Sequence, residues 1–186
     1  MRVSKYRYFD EGTRGLNLRG MLKDLSAAER GSIVVLHACA HNPTGVDPSR
    51  EEWEDIACVV RDRGLVPIFD AAYLGYVSGK PGEDAFALRL FDRMGLSFFV
   101  CVSFSKNFGL YSERCGVCMY HGTTAAEAKA VNSQMKLITR RIWSVPPMHG
   151  GNIVLRVLSD EKRRQQWCVV WGGGEMRVCG DMGYQF

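Results

Sequence analysis

The sequence predicts an α/β domain built on a mostly parallel sheet with flanking helices, and three observations carry that expectation. Short β-branched and aromatic runs, SIVVLHAC (32–39), LVPIF (65–69) and LSFFVCV (96–102), alternate with stretches of helical periodicity. Strand, helix, strand units of this length connect right-handedly into parallel neighbours. Each apolar run ends in a loop rich in polar residues, HNPTG, DAAYLGY and SFSKNFGLYSER. Carboxyl ends of strands are where open α/β sheets bind ligands.

Composition narrows the field. The chain has 186 residues, 46% of them apolar, enough for one sizeable core. Its net charge of +4 comes from scattered residues without a basic block, which argues against nucleic-acid and anionic-membrane partners. No apolar run reaches the roughly 18 residues of a membrane span. The opening MRVSKYRYFD shows neither a secretory signal nor a transit pattern. Seven cysteines is an odd count, and Cys39, Cys58 and Cys101 lie in apolar runs, as reduced core thiols of an intracellular protein do. Cys115 and Cys118 make a C-x-x-C with no second pair, so neither a zinc nor a redox site is assigned to it. The expected compartment is the cytoplasm, with a mitochondrial location left open.

Taken in order, residues 6–10 read as extended and 16–25 (LNLRGMLKDL) as a short helix. After the strand at 32–39, HNPTGVDPS has the Pro and Gly of a fixed turn. Asp47 is placed to cap the next helix with Pro48 at its first position, and Trp53, Ile56, Ala57 and Val60 recur on one face until Gly64 ends it. A second helix is expected over 84–94, closed by Gly95, and a doubly wound sheet is the simplest architecture. Residues 114–120 read as a further strand, and Thr124 with Glu127 as a capping box for a long helix reaching Arg141. SVPP breaks that helix, and helical spacing resumes over 150–167. From Cys168 the character changes, with no helical period and three consecutive glycines.

Chemistry concentrates in the three loops. Lys106, among hydroxyls and glycine, is placed to lose its proton and form a Schiff base with a carbonyl, since desolvation and nearby cations disfavour the ammonium form. Read by itself, it fits a solvated loop lysine as well. Asp70, at a buried strand end, suits the ring nitrogen of a pyridine cofactor, whose protonated ring accepts electrons from a carbanion. Tyr73 and Asn42 could donate to the oxygen beside the imine. Ser103, Ser105 and Arg114 could hold a phosphate, the arginine through paired hydrogen bonds. Every part of pyridoxal 5'-phosphate then has a partner.

HACAHNPTG, FDAAYLGY and SFSKNFGLYSER, in this order and separation, closely resemble the aspartate aminotransferases among the fold-type I pyridoxal-phosphate enzymes. The resemblance runs from about residue 6 to 167. It implies that the chain is the central part of the large, cofactor-binding domain, with Lys106 as Schiff-base lysine and proton carrier. It also implies Asp70 on the pyridine nitrogen, Asn42 and Tyr73 on the phenolic oxygen, and Ser103, Ser105 and Arg114 on phosphate. Lys106, Tyr73 and Asp70 would be catalytic, with Asn42 also at the substrate. His37 matches a position supporting the aspartate from behind, although a lone histidine on an apolar strand is also an ordinary core residue. Arg140 matches an arginine that reaches into the neighbouring subunit and grips the distal carboxylate of aspartate or glutamate; by spacing alone Arg140 and Arg141 are a solvated helix end. The implied reaction is transamination between a dicarboxylic amino acid and a 2-oxo acid, in a homodimer. The alternatives are an aminotransferase for aromatic amino acids, or a truncated non-enzymatic remnant that binds pyridoxal phosphate weakly or associates with full-length subunits.

The departures from the family pattern are large. Members of that family are considerably longer. This sequence lacks the glycine-rich phosphate turn and stacking aromatic expected before it, and the second arginine expected after it. Val145 stands where the family usually has asparagine, and Leu74 where glutamine is common. The expected organisation is a partial cofactor-binding domain over 1–148, a helical connection over 149–167 and an atypical tail over 168–186. Losing flanking segments would leave sheet edges and apolar faces uncovered.

Overall fold

The computed structural model describes residues 2–172. Near its amino end two short strands, β1 (Phe9–Asp10) and β2 (Gly15–Leu16), pair antiparallel. Helix α1 (Leu18–Ala27) follows, with the Asn17 side-chain oxygen accepting from the Gly20 N–H at 2.9 Å. The central sheet contains β3 (Ile33–His37), β4 (Val66–Ala71), β5 (Phe98–Ser103) and β6 (Gly116–His121), in that spatial order. The first three strands are parallel and β6 runs antiparallel along β5.

The crossovers are α2 (Arg50–Arg63) and α4 (Phe86–Arg93), the latter preceded by the single turn α3 (Pro81–Asp84). Because the strands step in one direction, from β3 to β4 to β5, two right-handed crossovers put both helices on the same face. The mostly parallel α/β sheet is therefore as expected. The second winding of a doubly wound sheet is not formed among the described residues.

Alternation along each strand splits the sheet into two faces. Val34, Leu36, Phe69, Ala71, Phe98 and Val100 point into the core, against Met21 and Leu25 of α1, the Trp53, Ile56, Ala57 and Val60 stripe of α2, and Ala87, Leu90 and Phe91 of α4. Phe69 meets Phe91 and Phe98 edge to face, with ring centroids 4.9 and 5.5 Å apart. On the opposite face Ile33 and Val35 are 59% and 53% exposed. Cys101 belongs to that face and is exposed, not a core thiol as expected, because no layer among the described residues covers it. Cys39 is buried, and burial pushes its thiol up to about 12. Cys58 is half-buried; Cys39, Cys58, Cys101, Cys115 and Cys118 are free thiols, whereas Cys168 is disulfide-bonded.

Two caps differ from expectation. Helix α2 is capped by Ser49, whose hydroxyl accepts from the Glu52 N–H at 3.2 Å while the Glu52 carboxylate accepts from the Ser49 N–H at 2.7 Å. Asp47 is drawn instead into the loop before it. Gly64 ends the helix in the left-handed conformation, φ 61°, as the sequence suggests. Helix α5 (Ala125–Ile142) has only half of its expected box. The Thr124 hydroxyl accepts from the Glu127 N–H at 3.2 Å, but the Glu127 carboxylate accepts from the Tyr120 hydroxyl at 2.5 Å and the Thr123 N–H at 3.0 Å.

No residue of α5 is buried, and Leu137, Ile138 and Ile142 are exposed along it. The stretch expected to be one helical connection forms two helices, α6 (Met148–Leu158) and α7 (Glu161–Gly172). Residues 168–172, expected to be aperiodic, continue α7, and the rest of the atypical tail lies outside the described residues.

Candidate functional site

The carboxyl ends of β3, β4 and β5 bring three loops to one edge of the sheet. The β3 loop is braced from within. The Asp47 carboxylate accepts from the Ala40 N–H at 2.6 Å and the His41 N–H at 2.9 Å. His41 stacks on Tyr8, ring centroids 3.7 Å apart, and its Nδ1 lies 2.8 Å from the Thr44 hydroxyl. The Tyr8 hydroxyl donates to the Val46 carbonyl at 2.7 Å. Burial, with His37 nearby, lowers the His41 pKa from its ordinary value, against a smaller raising effect of Asp47. The brace holds a loop whose Asn42–Pro43 bond is cis and whose Asn42 side is exposed.

His37 is the register partner of Asp70, and the Ala38 N–H donates to the Asp70 carbonyl at 2.8 Å. Both side chains stand on the open face. The Asn42 N–H reaches the His37 Nδ1 at 3.5 Å.

The β4 loop is fastened by Asp84, which sequence reasoning assigned to a helix start. Its buried carboxylate accepts from the N–H groups of Gly75, Val77 and Ser78 at 2.7, 3.1 and 3.1 Å. These bonds fix the turn directly after Tyr73. An acidic residue between a Gly-Tyr turn and an apolar stripe was the available signal. Leu74, where the family pattern has glutamine, is 6% exposed and packs in the core.

The third loop carries the lysine. The Lys106 Nζ lies over the Tyr73 ring, 4.9 Å from its centroid. Ser103 ends β5 on the open face, and its hydroxyl accepts from the N–H of buried Ser105 at 3.2 Å. Opposite Ser103 stands Gly116, where an added Cβ would come within 2.7 Å of the Val102 carbonyl oxygen, so β6 approaches this closely only with glycine. Arg114, with φ 50°, sits in the reversal between β5 and β6 and donates to the Tyr111 carbonyl at 3.0 Å.

The structure thus brings Lys106 to Tyr73, Asp70 to His37 and Ser103 to Ser105. Asn42 and Arg114 stand exposed at the rim. Arg140 lies exposed in the last turn of α5 and makes no hydrogen bond or ion pair with the other candidates. Chemically the edge offers an amine beside a phenol, a carboxylate on the adjoining strand, and hydroxyls just before the amine.

The fold is an α/β domain that gathers polar loops at the carboxyl ends of parallel strands, with Asp70 near the end of β4 and Lys106 in the loop just beyond β5. The Aminotransferase class I and II family matches residues 1–176, and the chain belongs to that family. It is 48% identical over 165 residues to aspartate aminotransferase 3, chloroplastic, of Arabidopsis thaliana, covering 89% of this chain and 37% of that protein. It is 44% identical over 176 residues to the cytoplasmic aspartate aminotransferase of Oryza sativa subsp. japonica, covering 95% of this chain and 43% of that one. The crystal structure of an aromatic-amino-acid aminotransferase from Burkholderia pseudomallei, covalently bound to pyridoxal phosphate, superposes with a TM-score of 0.89 at 44% identity, over 93% of this chain and 43% of that one. The chain therefore spans less than half the length of the relatives it matches.

Proposed function

We propose that this chain carries the cofactor-holding part of an aspartate aminotransferase, which exchanges an amino group between aspartate or glutamate and a 2-oxo acid with pyridoxal 5'-phosphate. The observation that supports this best is Lys106 over the Tyr73 ring, beside the strand end that presents Asp70. The donor set suits the cofactor: an amine for its aldehyde, a carboxylate for its ring nitrogen, and hydroxyls with a guanidinium for its phosphate. When bound, pyridoxal phosphate supplies a ring that takes up the electron pair released at the substrate carbon.

The chain's own residues then divide the work. With the cofactor bound, Lys106 would hold it through its amine and, as a free amine, would carry a proton to and from the substrate carbon. Asp70 would keep the proton on the ring nitrogen, with His37, its register partner, beside it. Asn42 and Tyr73 donate to the phenolic oxygen, and Asn42 also borders the substrate. Ser103, Ser105 and Arg114 would bind phosphate, the Arg114 guanidinium, which here donates to the Tyr111 carbonyl at 3.0 Å, having the fork geometry for two hydrogen bonds to an anion. Arg140 takes the distal carboxylate in a neighbouring subunit's site, which makes a homodimer the working assembly. Residues 1–148 are the partial cofactor-binding domain and 149–167 the helical connection leading out of it. We assign the protein to the cytoplasm, with the mitochondrion the alternative.

The bare sheet face at Ile33 and Val35, and an α5 with nothing buried, favour one second reading: a remnant that holds cofactor or docks on longer family members without turnover. The purified chain is to be mixed with pyridoxal phosphate and divided: one portion is reduced with borohydride and mapped, and the other, unreduced, is assayed with aspartate and 2-oxoglutarate. Label on Lys106 with oxaloacetate formation is expected. Label without turnover selects the second reading, and label on other lysines alone overturns both. Turnover of aromatic amino acids in preference to aspartate moves the substrate class.

A further inference from the structure

Residues in register across a sheet project from the same face, and one row here reads His37, Asp70, Cys101, Cys118 from β3 to β6. The last two are free, exposed thiols whose Sγ atoms lie 3.8 Å apart. The ladder between their strands places them well for a bond. The Phe104 N–H donates to the Cys115 carbonyl at 3.1 Å, which makes 104 and 115 a hydrogen-bonded pair in the β5–β6 register. Pair types alternate along an antiparallel ladder, so Cys101 and Cys118, three steps back, form a non-hydrogen-bonded pair. Such pairs hold their Cα atoms about 4.5 Å apart, within the window of about 4.4–6.8 Å that a disulfide spans. Bringing the sulfurs to bonding distance requires side-chain rotation on a ladder already in place.

Two other uses of these thiols are poorer fits. Cys115, the other half of the C-x-x-C, packs against Gly150 of α6 and does not share the row. A metal is not favoured either: strands stand about 4.8 Å apart, so the row spreads its donors instead of converging them. Among the described residues no group of three metal-ligating side chains forms.

We propose that Cys101 and Cys118 are a dithiol modification site, oxidised by low-molecular-weight disulfides to a cross-strand disulfide. One protein thiolate attacks a sulfur of the small disulfide, forming a mixed disulfide and releasing one small thiolate. The neighbouring protein thiolate then attacks the protein sulfur of that bond and releases the second. The protein loses two electrons and two protons, and the small disulfide leaves as two thiols. The second step is intramolecular and gains from the fixed proximity of the sulfurs. Partial burial of the sulfur, together with Cys118 and the Asp70 carboxylate beside it, pushes the Cys101 thiol up to about 11, so the first attack is slow in neutral solution. The product ties β6 to the strand that leads into Lys106, beside Asp70. This proposal stands whether or not the chain turns over amino acids.

The test uses the full chain with oxidised glutathione in mildly alkaline buffer, followed by digestion without reduction and peptide mapping by mass spectrometry. A peptide pair joined through 101 and 118, lighter by two hydrogens and separated again by dithiothreitol, is expected as the main product. Cys118→Ser should leave Cys101 halted as the glutathione mixed disulfide, and Cys101→Ser should do the same to Cys118. Glutathione on both cysteines of the unsubstituted chain without the joined peptide would overturn the proposal. So would inertness of both in the folded chain when the denatured chain reacts, or crosslinks spread evenly over all the cysteines.

Discussion

The two faces of the central sheet come from alternate residues of the same strands and do opposite work. On one face Val34, Leu36, Phe69, Phe98 and Val100 are buried against α1, α2 and α4. On the other, one step along each strand, stand His37, Asp70, Cys101, Ser103 and Cys118 with Ile33 and Val35, and no described helix covers them. The covered face holds the strands in register, and the open face uses that register to align reactive groups. A period of two lets one strand contribute to both, and a single-residue slip would exchange them.

The contrast is broken most severely at the lysine. Lys106→Ala should abolish borohydride-stable attachment of pyridoxal phosphate while leaving the urea unfolding midpoint nearly unchanged, because the side chain is only half-buried. Attachment persisting at wild-type level would remove Lys106 from its role. Next comes the core face. Phe69→Ala deletes a ring with no exposed surface that packs with three others, and should cost about 3–5 kcal/mol in urea denaturation. Val35→Ser, on the open face of the neighbouring strand, should stay within about 0.5 kcal/mol. Similar losses at both positions would show that the open face is covered in solution.

A smaller effect is expected at Asp84, which joins the two regions by fastening the turn after Tyr73. Asp84→Asn weakens a three-donor arrangement and should cost about 1–3 kcal/mol, with faster hydrogen exchange at Gly75, Val77 and Ser78 than elsewhere. Uniform exchange would place its role outside that turn. Ser49→Ala, removing the cap of α2, should lower stability by about 1 kcal/mol, readable as a shift in urea midpoint without change in slope.

The smallest effect concerns pH. Arg7 donates to Asp24 through its backbone N–H and Nε, each at 2.9 Å, and through Nη2 at 2.6 Å, and these bonds lower the Asp24 carboxyl from 3.8 to about 2. A depressed folded value means the contribution is present above 3.8 and is lost as pH falls toward about 2. Arg7 is exposed and Asp24 half-buried at the surface, so solvent screens the pair and the gain is small. The difference in urea midpoint between wild type and Arg7→Ala should shrink across that window, and a difference constant with pH would contradict the assignment.

Much of this was readable before any coordinates. The buried stripe of α2 follows from its apolar spacing, and Gly64 closes that helix because glycine adopts the left-handed conformation readily. The three polar loops follow from where the apolar runs stop. The caps were less legible, since Asp47 beside Pro48 and Ser49 before Glu52 are both good helix starts. The choice fell to Ser49 because the β3 loop presents two N–H groups to Asp47. Asp84 was misplaced for a similar reason: its partners come from a loop that local pattern leaves undescribed.

By itself the sequence determined the three parallel strands, the helices between them, and which loops carry Lys106, Asp70, Tyr73, Asn42 and the two serines, because period and turn chemistry are local properties of the chain. Only the tertiary structure decided which neighbour each residue meets. The order β3, β4, β5 put both crossovers on one side, left Cys101 exposed where its apolar run suggested a core thiol, and set it opposite Cys118. Register and handedness are properties of several strands together, and no single stretch of sequence contains them.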